Sequence, residues 1–324
     1  MVCSRSPRAA GEILRVTFLG TSAGVPTRAR NVSAVALRLP QRGEVWLFDC
    51  GEATQHQIQR TDLRLGQITR VFITHLHGDH VFGLLGLLAS MGLAGAAQPV
   101  SLYGPAGLRE FVHSAARATR TTLGESLVVN TVRAGLVYED GDFAVSCLPL
   151  RHRLQSFGYR VQERDRTGRF DAARAAELGI PAGPLYGRLK RGETVTLPDG
   201  RTFDGRALCG PDIRGRSVVY CTDTTYCDNS VELSRGADLL VHEATFVDED
   251  AHLARQSTHS TASDAARVAR AAGARRLAVT HVSPRYAPGN PVEISALLRQ
   301  ARAVFPATTL AEDFMTIEVE REED

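Results

Sequence analysis

The sequence predicts one large α/β domain carrying a basic insertion, and three observations point there. The 324 residues suit a single α/β domain with insertions, and 43% hydrophobic residues are enough to fill a sizeable core. Short β-branched or aromatic runs bounded by glycine or proline open the chain, and helical periodicities alternate with strands later on. A long polar stretch near residues 160–193 interrupts that alternation.

Taken in order, residues 1–11 read as a loose tail and the folded domain as 12–324. Strand patterns follow at ILRVTFLG from Ile13, at Ser33–Leu39, at Val45–Asp49 and at Arg70–Thr74, the last running straight into a histidine cluster. Helical patterns cover Pro105–Ala118 and Thr261–Ala272. The second is opened by Ser260 or Thr261 as N-cap, with Asp264 in its first turn. Leu277–Val282 reads as a strand that runs into a histidine. The longest apolar stretch, Val81 to Ala97, is broken by four glycines and a serine, too short and interrupted to cross a membrane.

Net charge is +2, which excludes a bulk polycation that coats nucleic acid but leaves room for a local basic patch. All but one of the basic residues are arginine, Lys190 being the exception. The six cysteines are scattered without a CxxC pair, and the N-terminus MVCSRSPRAAGE has no apolar run. Both fit free thiols in a cytoplasmic setting.

The insertion concentrates charge. From Arg160 to Arg191 the local balance is +4, twice that of the whole chain. A short helix is expected after Asp171, stopped by Gly179 and Pro181, and then a turn-rich run from Pro181 to Gly187.

The chemistry starts at His75-Leu76-His77-Gly78-Asp79-His80. A strand ends, a tight turn follows, and a helix begins near Asp79. Imidazole and carboxylate bind zinc-like divalent ions without redox chemistry. One metal cannot easily take four ligands from so short a segment, but two metals about 3.5–4 Å apart can, and such a pair clamps an in-line attack at phosphorus. Three more ligand types stand at the ends of apolar strands: His152 after SCLPLR, Asp223 after SVVYCT and His281 after LAVT.

Together these residues resemble the metallo-β-lactamase superfamily, an αββα sandwich of two mixed sheets flanked by helices. The resemblance covers nearly the whole chain from Ile13. It implies that His75, His77 and His152 bind one zinc, that Asp79, His80 and His281 bind the other, and that Asp223 bridges. Manganese and iron use the same residue types. Asp49 in LFDCGEATQ matches the family's first motif, an aspartate that supports the metal loop from behind. Fold does not choose the substrate. Four further segments do, each resembling the ribonuclease Z (tRNase Z) branch. Val241-His242-Glu243-Ala244-Thr245-Phe246 is similar to its HEAT motif. Thr258-His259-Ser260-Thr261 is similar to its second catalytic loop. Pro26-Thr27-Arg28-Ala29-Arg30-Asn31 is similar to its PxKxRN loop, with Arg28 where lysine is usual, a change that keeps charge but not geometry. Gly179–Glu193 is similar to the tip of a flexible tRNA-gripping arm, here residues 160–193.

The resemblance implies a short-form homodimer with two zinc ions per subunit. It would cut precursor tRNA after the discriminator nucleotide and leave a 3′-hydroxyl. Asp79 would accept the proton of the attacking water, and His259, oriented by Glu243, would protonate the leaving oxygen. Arg28 and Arg30 would lie near the discriminator, while Arg188, Lys190 and Arg191 on the arm would meet backbone phosphates. Two alternatives stay open on the residues alone: a thioesterase or small phosphodiesterase on the same fold, and a non-catalytic RNA-binding protein. His242 has no assigned role.

Overall fold

The computed structural model describes residues 13–94, 99–123 and 127–321. The tail expected over residues 1–11 lies outside them. In chain order the strands are β1 (Leu14–Gly20), β2 (Ala34–Leu39), β3 (Glu44–Phe48), β4 (Ile68–Phe72), β5 (Ser101–Gly104) and β6 (Val128–Thr131). Next come β7 (Gly135–Glu139), β8 (Phe143–Leu150) and β9 (Ser156–Glu163), then a short pair, β10 (Thr194–Thr196) and β11 (Thr202–Asp204). They are followed by β12 (Ser217–Cys221), β13 (Leu239–Glu243), β14 (Leu277–Thr280), β15 (Thr308–Leu310) and β16 (Thr316–Val319).

Two seven-stranded sheets result. One runs β16-β1-β2-β3-β4-β5-β6, antiparallel up to β3 and parallel beyond it. The other runs β15-β14-β13-β12-β9-β8-β7, with β12 to β15 parallel. Period-two alternation sorts the side chains. On β3, Val45 and Leu47 join an aliphatic core shared with the helices Leu84–Leu93 and Leu108–Thr119. Trp46 and Phe48 point the other way, into an aromatic layer between the sheets. Phe48 stacks on Phe72 at 5.2 Å and meets Tyr220 at 5.5 Å, while Phe72 meets Tyr159 at 5.4 Å. The helices Ala262–Ala272 and Ser295–Val304 cover the outer face of the second sheet. This is the expected αββα sandwich.

Several boundaries move, each for a local reason. The strand expected over Arg70–Thr74 ends at Phe72, because the Thr74 amide donates to the Asp49 carboxylate at 2.8 Å instead of continuing the ladder. The helix expected from Pro105 starts at Leu108, after Gly107 turns the chain with φ +96°. Thr261 is the N-cap of the helix Ala262–Ala272, closing a capping box with Asp264. No helix of the described residues is long and apolar enough to cross a membrane. The five cysteines from Cys50 to Cys227 are free, and Cys3 lies outside the described residues.

The chain divides into two compact units, the second made of Asp140–Phe143, Gln162–Arg216 and the stretch from Arg321. That second unit runs well past residue 193 and has its own core of Ala175, Ile180, Leu189, Val195, Leu197 and Leu208. Asp171 caps the short helix Ala172–Glu177 as expected. The run read as turn-rich is instead half helix: Pro184 stands at the first position of the helix Pro184–Lys190, where a missing N–H costs nothing. Within this unit Glu163 is buried and receives Arg216 Nε at 2.7 Å, Arg216 Nη2 at 3.0 Å and Arg321 Nη2 at 2.6 Å.

Candidate metal centre

Both sheets end at one site. β4 runs out into His75 and His77, and the short helix Gly78–Val81 carries Asp79 and His80. β8, β12 and β14 run out into His152, Asp223 and His281. All seven expected ligands therefore meet. The ligand atoms of His75, His77, His152 and Asp223 lie within 4.8 Å of one another, and so do those of Asp79, His80 and His281. Asp223 stands between the two groups. Its Oδ1 is 3.2 Å from both His80 Nε2 and His281 Nε2, and its Oδ2 is 3.5 Å from His75 Nε2 and 3.8 Å from His152 Nε2.

Hydrogen bonds outside the site aim the rings. His80 Nδ1 donates to Asp49 Oδ2 at 2.7 Å, His75 Nδ1 to Thr74 Oγ1 at 3.0 Å, His152 Nδ1 to the Thr258 carbonyl at 3.0 Å and His281 Nδ1 to Thr245 Oγ1 at 3.0 Å. Each leaves Nε2 turned inward, the arrangement by which a protein orients a metal ligand. His77 differs and presents Nδ1, 2.8 Å from His75 Nε2. Asp49 also accepts from the Tyr220 hydroxyl at 3.1 Å, so both sheets hold His80 through it. Asp49, Asp223 and His281 all have left-handed backbones, with φ of 57°, 51° and 57°. Such conformations cost non-glycine residues about 1–3 kcal/mol each, and the surrounding bonds here over-determine them.

The electrostatics fit cations. Burial, with the neighbouring His80, pushes the His75 imidazole down to about 2, and burial also lowers His77 and His152. These rings stay neutral and able to ligate at neutral pH. Burial works against His80 too, yet Asp223 and Asp49 raise it well above its ordinary range. Three converging neutral imidazoles and a carboxylate shared between two groups are donor types that suit divalent cations.

Beside the ligands lies a second construction. Glu243, fully buried at the end of β13, accepts His259 Nδ1 at 2.8 Å and the Thr224 amide at 2.8 Å on Oε1. Its Oε2 accepts the Thr245 hydroxyl at 2.6 Å and the Ser260 amide at 3.0 Å. Burial opposes the charge on His259, but Glu243 outweighs it and raises the imidazole to about 9. His259 Nε2 faces the centre, 3.9 Å from Asp223 Oδ2. His242, on the other side of β13, is buried away from the site.

Sequence reasoning missed the supports. Thr245 joins His281 to Glu243, and the Gly24 amide donates to Asp79 Oδ2 at 2.8 Å. Asp313 braces the loop at residues 21–31, accepting the Thr21 hydroxyl and the Asn31 amide, each at 2.7 Å. In that loop Arg28 is exposed, whereas Arg30 turns inward and donates to Thr21 Oγ1 at 2.7 Å and the Ala311 carbonyl at 2.6 Å. Arg30 thus shapes the loop, and Arg28 is its outward cation. In the second unit Arg188 and Arg191 are exposed and share Glu193, at 3.0 and 2.8 Å, and Lys190 lies over the Phe170 ring.

Known proteins share this architecture. The family described as "Anti-Pycsar protein Apyc1" matches residues 14–163, and the "Beta-lactamase superfamily domain" matches residues 192–282. A protein named Ribonuclease Z from Nostoc sp. (strain PCC 7120) is 61% identical over 308 residues, covering 95% of this chain and 96% of that protein. A Ribonuclease Z from Gloeothece citriformis is 59% identical, covering 95% and 97%. Among solved structures, human tRNase Z, short form, is 34% identical with a TM-score of 0.69, covering 94% of this chain and 99% of that one. The metallo-β-lactamase fold protein YhfI from Bacillus subtilis, at 19% identity and a TM-score of 0.66 over 95% and 99%, shares the fold.

Proposed function

Because the chain belongs to the ribonuclease Z family, we propose that it is the endoribonuclease that removes the 3′ trailer from precursor tRNA, cutting after the discriminator nucleotide. The observation that carries the reading is the 2.8 Å bond from His259 to the buried Glu243, set against a complete two-ion ligand set. Metal hydrolysis of an ester with a good leaving group needs no such proton donor. Release of a ribose 3′-oxygen does.

His75, His77 and His152 would hold one zinc, Asp79, His80 and His281 the other, with Asp223 shared. When bound, the pair lowers the pKa of a water to about 7 and neutralises charge on the phosphate. Asp79, fixed by the Gly24 amide, accepts the proton of the attacking water. The new bond forms between that water's oxygen and phosphorus, and the bond to the ribose 3′-oxygen breaks. His259 gives that oxygen its proton and Glu243 holds the resulting imidazole in place. The trailer leaves with a 5′-phosphate.

Arg28, and Arg188, Lys190 and Arg191 on the inserted arm, meet phosphates. The arm measures the tRNA by shape, away from the cut. The enzyme works in the cytoplasm as a homodimer, one subunit's arm serving substrate at the other's active site. The test is a purified protein, zinc or manganese, and a precursor tRNA without encoded CCA. One cut after the discriminator is expected, and none would refute the reading. Reversing charge at Arg188, Lys190 and Arg191 is expected to lower kcat/KM on precursor tRNA while bis(p-nitrophenyl) phosphate is still turned over. Equal loss on both would remove the arm's role.

A further inference from the structure

A groove of about 910 Å³ opens beside His259 and runs along the helix Ala262–Ala272. Its charges are unevenly used. Asp248 accepts the Ser263 amide and hydroxyl, and Asp264 is taken up by Thr261 and Arg267. Both acids therefore serve the fold. Arg151, Arg255 and Arg270 line the same groove, are exposed, and have no side-chain partner among the described residues. Tyr226 stands among them 40% exposed, and the buried Thr225 Oγ1 there has no hydrogen-bond partner. Unpaired guanidiniums with an available aromatic face make a site for single-stranded nucleic acid, phosphates on the cations and a base on the ring.

The position of His259 says which strand. In-line displacement puts the leaving oxygen opposite the attacking water, so the proton donor sits on the leaving side. In the proposed reaction that oxygen is the 3′-oxygen kept by the tRNA. The ribose that carries it must lie at His259, where the groove opens.

We propose that this groove holds the 3′ end of the retained tRNA strand, with its phosphates on Arg151, Arg255 and Arg270 and an unpaired base against Tyr226. This rests on the endonuclease reading and adds a strand direction to it. The trailer departs on another side.

The test compares two RNAs on the full-length protein: a CCA-less tRNA ending at the discriminator, and a 5′-phosphorylated trailer oligonucleotide. For the triple variant R151A/R255A/R270A, affinity for the tRNA is expected to fall about 10-fold or more. The slope of log affinity against log salt should flatten by about 2–3, the share of three phosphate contacts. Trailer affinity should stay as in the wild type, which also shows that the variant is folded. Tyr226→Ala should weaken tRNA binding several-fold and Tyr226→Phe should not. Unchanged tRNA affinity, or a loss as large on the trailer as on the tRNA, would overturn the proposal. If the wild type fails to cut precursor tRNA at all, the endonuclease reading falls first, and the binding comparison then judges the groove by itself.

Discussion

The proposed reaction gives Asp79 two tasks, ligand and proton acceptor, and neither is a contact with RNA. Asp79→Ala is therefore expected to abolish cutting while tRNA affinity, read by filter binding, stays within a few-fold. Thr245 is subtler. Its hydroxyl takes a proton bond from His281 and gives one to Glu243, so it sets the aim of a ligand and of the acid pair together. Thr245→Val should cost about 10–100-fold in metal affinity or in kcat, and Thr245→Ser should recover most of it. Zinc retention against a chelator separates this from mere misfolding. His259 adds a pH signature. Glu243 raises it to about 9 against burial, so it is protonated below that value. Cations at the centre pull it lower, and kcat is expected to fall on the alkaline side at or below pH 9, with the limb missing in His259→Ala. At this scale the candidate ligands were readable, because His152, Asp223 and His281 each follow an apolar strand and the other four crowd into His75–His80. Thr245, Gly24 and Thr224 were not, since a hydroxyl or an amide gains its role only from where the backbone carries it.

Elements differ in how far their own residues declare them. The helix Ala262–Ala272 announces itself by Thr261 and Asp264, and Thr261→Ala should cost about 1 kcal/mol in a melt. The second unit was read only in part. Its first helix has Asp171 to start it and Gly179 to stop it. Its hairpin carried the turn signal Leu197-Pro198-Asp199-Gly200 between alternating residues, a pattern that the insertion's polarity obscured. Glu163 ties segments of this unit together. Burial alone would raise its carboxyl, but Arg216 and Arg321 hold it below the usual range. Its folded pKa thus lies under the unfolded value of about 4.3. The stability it contributes is present above that pH and is lost as pH falls through the depressed folded value. Glu163→Ala removes the buried carboxylate that Arg216 and Arg321 share and should cost about 3–5 kcal/mol, seen as early proteolysis within Gln162–Arg216.

For the molecule as a whole, the candidate ligands come from both sheets, so cations held there would favour the native state over the unfolded chain. Chelation is expected to lower the melting temperature, by the loss of about 2.7 kcal/mol where the metal had stood at 100 times its Kd. Calorimetry with and without zinc decides it. The sandwich itself was legible as short apolar runs and capped helices. That its two sheets close on one centre was not, because no spacing in the chain says that His80 will face His281 at 3.3 Å. That long-range closure has a bearing on how the protein is made. Translation delivers the cluster from His75 to His80 first, His152 and Asp223 much later, and His281 last of all. A chain stalled or broken before β14 carries most of these histidines yet lacks His281, one of the seven candidate ligands. On the proposed ligand set, such an unfinished chain is expected not to cut RNA.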